Sequence, residues 1–594
     1  MLATLVLISY QPNFRLGFYL DDYIYLERAG RTDWSNALAQ IFDPRTQVVW
    51  YRPLQSIQFF LQAQFFGNNP NAYHLVNTIY HVINVWLIYG ILWRISRRWL
   101  IGFVAALFYA TFGVYISGVN WIGIVDPLAT VFYLLSIWFW WSFLEKENAR
   151  DYWLAFGAFV LALLSKQTAA TIPIALFLLD RWFAGKSISL SNLVRRYIGF
   201  GVAAIIFVLV QATAPTTSTF TSVFGWQLGA TMLWILFQYL VLFFFPWGLY
   251  PSIDLNPTDV GTPLTYVWFF LCAIIFLVVL WRTHSRVLLF LAIFTVTTLV
   301  PVLPFPFLEH RYLYLPIIAS AILSALVFQK LFARLNVHRW FAPGAALGFA
   351  LIALANGIWL EKSAIGAAEW ARQLRVPFRD IERQHATFPP NTLLYFIDPI
   401  TPTTGGLSGM FFMRYGRDVY VRNWSESARL RDHNAAFVYY FDAQRKPREI
   451  AVDKNITLTT SPGMPAQFSA PIFLEGFEIA QTTIKRGTPI VLILYWRARE
   501  KIETDYTFFA HLVATDGKIV AQYDAPPRKG QMPTSAWQAN RLIADAVVIA
   551  TDNVPIGAEY KLQLGLYDAN TQQRLSIANS QVDSIIIESF RVIE

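Results

Sequence analysis

Six ionisable residues stand where an apolar chain has reason to avoid charge. Asp21 and Asp22 are adjacent inside LGFYLDDYIYL, residues 16–26. Asp126 lies within NWIGIVDPLATVF, Lys166 interrupts LLSKQTA, and Glu309 and Arg311 sit two apart in FLEHRYLYLP. Their types suit one kind of chemistry. A carboxylate held near a hydroxyl can take its proton as a general base. Arginine offers phosphate oxygens a planar fork, and lysine a point charge. Each residue taken singly also has a plainer reading, as a solvated loop carboxylate or as a cation reaching toward lipid phosphates. That reading is weakest for Asp21 and Asp22. Two like charges side by side raise one pKa unless a cation, a metal or solvent intervenes.

The elements that must position these residues are read from hydropathy. The chain has 594 residues, of which 55% are hydrophobic and 14% charged, with mean hydropathy +0.41. Soluble domains carry about a quarter charged residues, so this is a membrane composition. Apolar runs long enough to cross a bilayer recur at 72–95, 99–118, 126–144, 152–166, 167–184, 197–214, 263–281, 286–304, 311–333 and 341–360. Basic residues orient them. Arg94, Arg97 and Arg98 follow the first run, Lys146 and Arg150 the third, and Arg181, Lys186, Arg195 and Arg196 the fifth. Arg282 and Arg286 lie between the seventh and eighth, and Lys330, Arg334 and Arg339 follow the ninth. Those alternate sides are cytoplasmic by the positive-inside rule. The six ionisable residues then gather at the outer rim, from four loops far apart in sequence.

Two segments need separate treatment. MLATLVLISY is too short to cross and has no basic n-region, so it reads as the stump of a first span and not as a signal peptide. Residues 228–250 are long enough to span, yet neither flank carries Lys or Arg, which favours a re-entrant or surface-lying helix. The expected fold class is therefore a polytopic α-helical membrane domain of about eleven spans over residues 1–360.

Beyond 360 the patterning changes. AAEWARQLRVPFRDIERQ has the period of an amphipathic helix, and TLLYFIDP, DVYVRN and AAFVYYFD read as short strands. Residues 361–465 are thus expected to form a small extracytoplasmic α/β module. From 466 to 594 the pattern is strand and turn, with Asp516-Gly517 marking a hairpin. A β-sandwich is expected there, with Trp496, Trp537, Tyr506 and Tyr567 read as core in preference to a sugar-stacking platform. The single cysteine, Cys272, excludes an intrachain disulfide.

Several functions are excluded. The basic excess lies in the apolar part, with 21 Lys and Arg against 13 Asp and Glu over residues 1–360, so no nucleic-acid partner is expected. There is no P-loop, dinucleotide fingerprint or zinc-binding HExxH. His74, Asn77, His81 and Asn84 share one helix face, a pattern that fits hydrogen bonding between packed helices.

YLDDY, YRPL at 51–54, YHLVNTIYHVIN at 73–84, Asp126, LLSKQ at 163–167 and EHRYLYLP at 309–316 together resemble the GT-C superfamily of integral membrane glycosyltransferases. The nearest branches are the protein O-mannosyltransferases and the aminoarabinose-type transferases. The resemblance covers residues 1–360. It implies transfer of a sugar from a polyprenyl-phosphate donor to a hydroxyl acceptor (protein, lipid or glycan) on the outer face of the cell membrane. It assigns Asp21, Asp22 and Asp126 as catalytic carboxylates, Asp21 foremost. Lys166, Arg311 and Arg52 would bind the donor phosphate, with Glu309, His310 and His74 in support. Magnesium or manganese is implied only if the carboxylates converge on a hard cation. The β-rich tail departs from the tetratricopeptide helices of some relatives, so their acceptor does not carry over. The rival reading is a non-enzymatic membrane protein, a transporter or a receptor scaffold with a ligand-binding β-sandwich. Transporter sites lie near the bilayer midplane, whereas the ionisable residues here favour one rim.

Overall fold

The computed structural model describes residues 1–19, 21–47, 50–113, 116–183, 190–215, 229–244, 263–305, 307–335, 341–397, 399, 404–423, 429–442, 444–452, 464–530 and 532–594. The chain divides into two compact units, Met1–Arg372 and Gln373–Glu594.

The first unit is helical. Among the described residues, Pro70–Ser96, Asp126–Lys146, Ser191–Gln211 and Thr265–Thr283 are long and apolar enough to cross a membrane. Shorter apolar helices accompany them at Trp99–Thr111, Ala230–Phe244, Arg286–Val302 and Ile317–Leu331. The chain is a multi-pass membrane protein. Local sequence sets the helix ends. The Asn69 side chain accepts a hydrogen bond from the Asn71 N–H, and Pro70 takes the first turn, where no N–H is needed. Asn148 caps Ala149–Ser165 in the same way. Pro70–Ser96 and Asp126–Lys146 stop where Arg97 (φ 56°) and Glu147 (φ 53°) turn left-handed.

Several boundaries differ from the hydropathy reading. The N-terminal helix is Leu2–Ser9, eight residues or about 12 Å. The run expected at 99–118 stops at Thr111, and the one expected at 311–333 begins only at Ile317. Residues 167–171 wind into a 3-10 turn before the helix Ile172–Phe183. Within 228–250 the helix is Ala230–Phe244, and residues 245–250 lie outside the described residues, as does the 228 end. The long first loop contains helices Asp22–Arg31, Ala37–Phe42 and Pro53–Phe66. Tyr25 stacks on Phe59, with ring centroids 5.0 Å apart, joining the first and last of these. Finally, the run 341–360 and the amphipathic stretch after it are one helix, Phe341–Gln384.

The second unit has two parts. Strands β1 (Thr392–Phe396), β2 (Val419–Asn423), β3 (Ala435–Phe441) and β4 (Pro447–Ala451) form a sheet in the order β2-β1-β3-β4. β1 is parallel to both neighbours, and β4 is antiparallel to β3. β5 (Ala466–Gln467), β6 (Ile472–Ile479), β8 (Ile490–Ala498) and β11 (Leu542–Ile549) form a second sheet, ordered β11-β8-β6-β5. β7 (Thr483–Lys485), β9 (Tyr506–Val513), β10 (Ile519–Ala525), β12 (Glu559–Asp568) and β13 (Ile585–Ile593) form a third, ordered β10-β9-β12-β13-β7. Asp516-Gly517 makes the β9–β10 hairpin, with Gly517 at φ 85°. Leu492, Leu494 and Trp496 of one sheet share a core with Phe508, Leu512 and Leu562 of the other. Trp496 and Trp537 are buried in it, while Tyr506 and Tyr567 are partly exposed.

The other face of β8 is apolar too. Val491, Ile493 and Tyr495 pack with Leu393, Tyr395 and Val438 of the small sheet. The buried Glu478 carboxylate accepts hydrogen bonds from the Leu430 N–H at 2.8 Å and the Tyr495 hydroxyl at 2.9 Å. The strands of residues 466–594 are thus apolar on both faces of β8, and one face needs the α/β part. Residues 373–594 should therefore unfold in a single cooperative transition, whereas 466–594 alone should be markedly less stable and prone to associate. Equilibrium urea unfolding of the two fragments checks this. Equal midpoints would show that the β8 face needs no cover.

Candidate active site

The site is built at one end of the helical unit, where helix ends and connecting turns meet. Asp126 lies in the first turn of its helix, and Lys166 follows the last turn of Ala149–Ser165. Because these helices pack as antiparallel neighbours, their Asp126 and Lys166 ends coincide. The Lys166 ammonium lies 2.6 Å from both Asp126 oxygens, and the two side chains are only 6% and 8% exposed. Lys166 is therefore not the lone cation that its sequence context suggests. The Lys166 Nζ also stands 5.0 Å from the Tyr312 ring centroid.

Arg311 approaches the same ring from its own turn, His310–Leu313, with its guanidinium 5.5 Å from the Tyr312 centroid. It also lies 5.0 Å from the centroid of Trp121. Glu309 is its ion-pair partner at 3.7 Å. The Arg311 side chain is 12% exposed, and its buried Nη1 has no hydrogen-bond partner among the described residues. A buried guanidinium N–H left unpaired is costly, and an oxyanion is the partner it suits best. Arg52 precedes Pro53–Phe66 and donates from Nε and Nη2 to the Gln167 oxygen, at 3.2 and 3.0 Å.

Asp21 and Asp22 part company. Asp22 is fully buried and accepts from the Tyr19 N–H at 3.0 Å and the Gly123 N–H at 2.8 Å. It is not a loop carboxylate in solvent. Burial pushes its carboxyl well above the usual range, and these two N–H groups pull it back in part. Asp21, the residue before the helix Asp22–Arg31, keeps partial exposure. Burial raises its carboxyl as well, and the charge of Arg311 opposes that shift. Asp21 and Arg311 thus act on one another across 290 residues of chain.

The structure brings Asp21, Asp22, Asp126, Lys166, Arg52, Glu309 and Arg311 into one charged cluster, and His310 opens the turn that carries Arg311. His74 is fully buried, and its ring faces the Gly17 backbone. No described contact ties it to the cluster. Its helix neighbours do join helices as the shared face implies. His81 Nδ1 is 2.7 Å from the Tyr314 hydroxyl, Asn84 donates to Tyr314 at 3.1 Å and to the Pro127 carbonyl at 2.8 Å, and Asn77 donates to the Trp121 carbonyl at 3.4 Å. Tyr314 was missed in the sequence. So was Tyr239, whose hydroxyl bonds both backbone groups of Glu309. A tyrosine in an apolar run gives no periodic signal. Three of the four carboxylates are engaged by protein donors. Asp22 is engaged by backbone N–H groups, Asp126 by Lys166 and Glu309 by Arg311, and no three acidic, His or Cys side chains converge among the described residues.

Residues 56–214 match the family model described as dolichyl-phosphate-mannose-protein mannosyltransferase. That segment holds His74, Asp126 and Lys166 but not Asp21 or Arg311. No curated protein matches the chain in sequence. Among solved structures, ArnT from Cupriavidus metallidurans bound to undecaprenyl phosphate is 11% identical, with a TM-score of 0.44, covering 74% of this chain and 92% of that one. Arabinosyltransferase EmbB from Mycobacterium smegmatis is 11% identical, with a TM-score of 0.30, covering 92% and 62%. Both scores fall below 0.5, too low for either likeness to bear on mechanism. The family match supports the resemblance to GT-C membrane glycosyltransferases.

Removing one partner of the buried Asp126–Lys166 pair leaves an uncompensated charge, which costs about 3–5 kcal/mol. Asp126→Ala and Lys166→Ala should each lower the melting temperature of the detergent-solubilised protein sharply. Asp126→Asn combined with Lys166→Met should recover much of the loss. Single variants as stable as wild type would show that water reaches the pair.

Proposed function

We propose that this chain is a GT-C membrane glycosyltransferase that moves a hexosyl or pentosyl group from a polyprenyl-phosphate donor to a hydroxyl acceptor. Its site end and C-terminal unit would face the outer side of the membrane. The observation that carries this reading is the unpaired N–H of the buried Arg311 guanidinium, with Asp21 in its electrostatic field. A partly exposed carboxylate of raised pKa stands within electrostatic range of a buried guanidinium that has an unpaired N–H.

The chemistry follows from those two groups. The acceptor hydroxyl attacks the sugar C1, and its proton passes to the Asp21 carboxylate. The C1–O bond breaks, and its electron pair leaves with the polyprenyl phosphate. The charge that develops on the phosphate is met by Arg311, a donor already in place before reaction. Arg52 and Lys166 add positive charge behind it. Lys166 is neutralised by Asp126 at rest, so Arg311 is the principal phosphate ligand. The description of the matched family, which names a dolichyl-phosphate donor, supports a polyprenyl carrier.

The test is transfer of radiolabelled hexose or pentose from polyprenyl-phosphate donors by the purified protein to membrane acceptors. Asp21→Asn should lower turnover by about 10²–10⁴-fold with normal insertion, the usual worth of a general base. Arg311→Lys keeps a charge but loses the fork, and should weaken donor use about tenfold or more. The base works only when deprotonated, so the rate should rise with pH through the Asp21 pKa. Because burial raises that pKa, the acid limb of kcat/KM should have its midpoint above the ordinary value of about 3.9. Near-normal turnover in Asp21→Asn would remove the base assignment, and no transfer from any such donor would remove the function.

A further inference from the structure

Asp22 is the carboxylate for which the transfer chemistry has no task. It is fully buried, so no acceptor can reach it. One of its oxygens is spent on the Tyr19 N–H, three residues upstream, and the other on the Gly123 N–H, 101 residues downstream. The first bond shapes the turn that presents Asp21. The second crosses to the segment that leads into the Asp126 helix. We infer that Asp22 is a positioning residue, whose clasp on Gly123 sets the placement of Asp21 relative to the Asp126–Lys166 pair and Arg311. The inference rests on the proposed transferase function.

The far end of the clasp is built to receive it. A Cβ on Gly123 would stand 3.0 Å from the Asp22 oxygen and 3.3 Å from the Tyr25 ring, so a side chain there must displace something. The Gly123 carbonyl is taken by the Gln55 amide at 2.7 Å. The Trp121 carbonyl accepts from Asn77. The turn is therefore held by side chains from three different helices. It carries consequences in both directions along the chain. Trp121 stacks on Tyr19 at 5.6 Å and lies against the Arg311 guanidinium at 5.0 Å. Three residues after Gly123, Asp126 grips Lys166. Loosening the clasp frees the base and the phosphate ligands to move independently, although neither Asp21 nor Arg311 has been altered.

The experiment uses the full-length protein and the variants Asp22→Asn, Asp22→Ala and Gly123→Ala, with kcat, donor KM and melting temperature read separately. A misplacement on the order of 1 Å can cost about 10²-fold in rate. Asp22→Ala and Gly123→Ala should therefore lower kcat by about 10- to 100-fold, and Asp22→Asn, which keeps one acceptor oxygen, by less. Donor KM should change little, and the acid limb set by Asp21 should remain. The double variant Asp22→Ala/Gly123→Ala should be no slower than Asp22→Ala, because both changes break one contact. Wild-type kcat in the folded variants would overturn the inference. So would additive losses in the double variant. Loss of the acid limb in Asp22→Ala would make Asp22 itself the base. If Asp22→Ala does not fold, Asp22→Asn and Gly123→Ala still decide. If the wild type transfers no sugar, the transferase reading fails. The clasp is then read by hydrogen exchange in Asp22→Asn, where residues 19–23 and 121–126 should lose protection together. Unchanged protection in either segment would overturn it.

Discussion

Charge placed in an apolar bundle has to be partnered, and the arrangement of the charged cluster in this protein follows from that constraint. Stripping water from a carboxylate or an ammonium costs several kcal/mol even after relaxation. Asp126 and Lys166 meet the cost by pairing at 2.6 Å. Asp22 meets it with two backbone N–H groups. Arg311 meets it only in part, through Glu309 at 3.7 Å, the Tyr312 hydroxyl and the Trp121 face, with its Nη1 left over. The incomplete case is the informative one. Asp22, Asp126 and Lys166 are satisfied within the cluster while Arg311 keeps an unused buried donor, which is why the proposal places the donor phosphate there.

That cluster can be held with accuracy because its members come from stiff elements joined by short turns. Tyr314 illustrates the bracing. Its hydroxyl meets His81 and Asn84, and its carbonyl accepts from Tyr109 at 2.9 Å, so two helices fix the turn that presents Arg311. Tyr239 fixes Glu309 from a third. Buried hydrogen bonds of this kind are directional where apolar packing is not, and they specify one arrangement among many that would bury the same surface. The opposite end of the bundle uses charge differently. Arg94 and Arg97 share Glu145, and Arg196 pairs with Asp180, joining neighbouring helices. No unpaired donor of Arg94, Arg97 or Arg196 stands buried there among the described residues.

Much of this was legible in the sequence, for physical reasons that differ by element. Long apolar runs announce Pro70–Ser96 and Asp126–Lys146, because a bilayer demands about twenty such residues. Alternation announces β12, and short apolar runs bounded by turn residues announce β8 and β9. The 3-4-3 spacing of His74, Asn77, His81 and Asn84 announces a polar helix face, and three of the four make bonds to other segments. Pairing was not legible. Asp126 and Lys166 are 40 residues apart, and each reads as a solitary charge until the helices that carry them are folded side by side. Nor did adjacency separate Asp21 from Asp22. Their roles diverge because a helix begins between them, turning one carboxylate inward to Gly123. The helices of the first loop went unseen because they are short and bury only part of their surface. The apolar outer face of β8 was visible as an unbroken hydrophobic run, IVLILYW, but its cover comes from a part of the chain some 100 residues earlier.

The central claim is that Arg311 awaits a phosphate carried by a polyprenyl lipid. The most direct measurement is a cryo-electron-microscopy structure of the protein in nanodiscs loaded with a polyprenyl monophosphate. The predicted result is phosphate density within hydrogen-bond distance of the Arg311 guanidinium, with Asp21 facing the same space. Phosphate density bound elsewhere, with Arg311 still resting on Glu309 and its Nη1 unpaired, would contradict it.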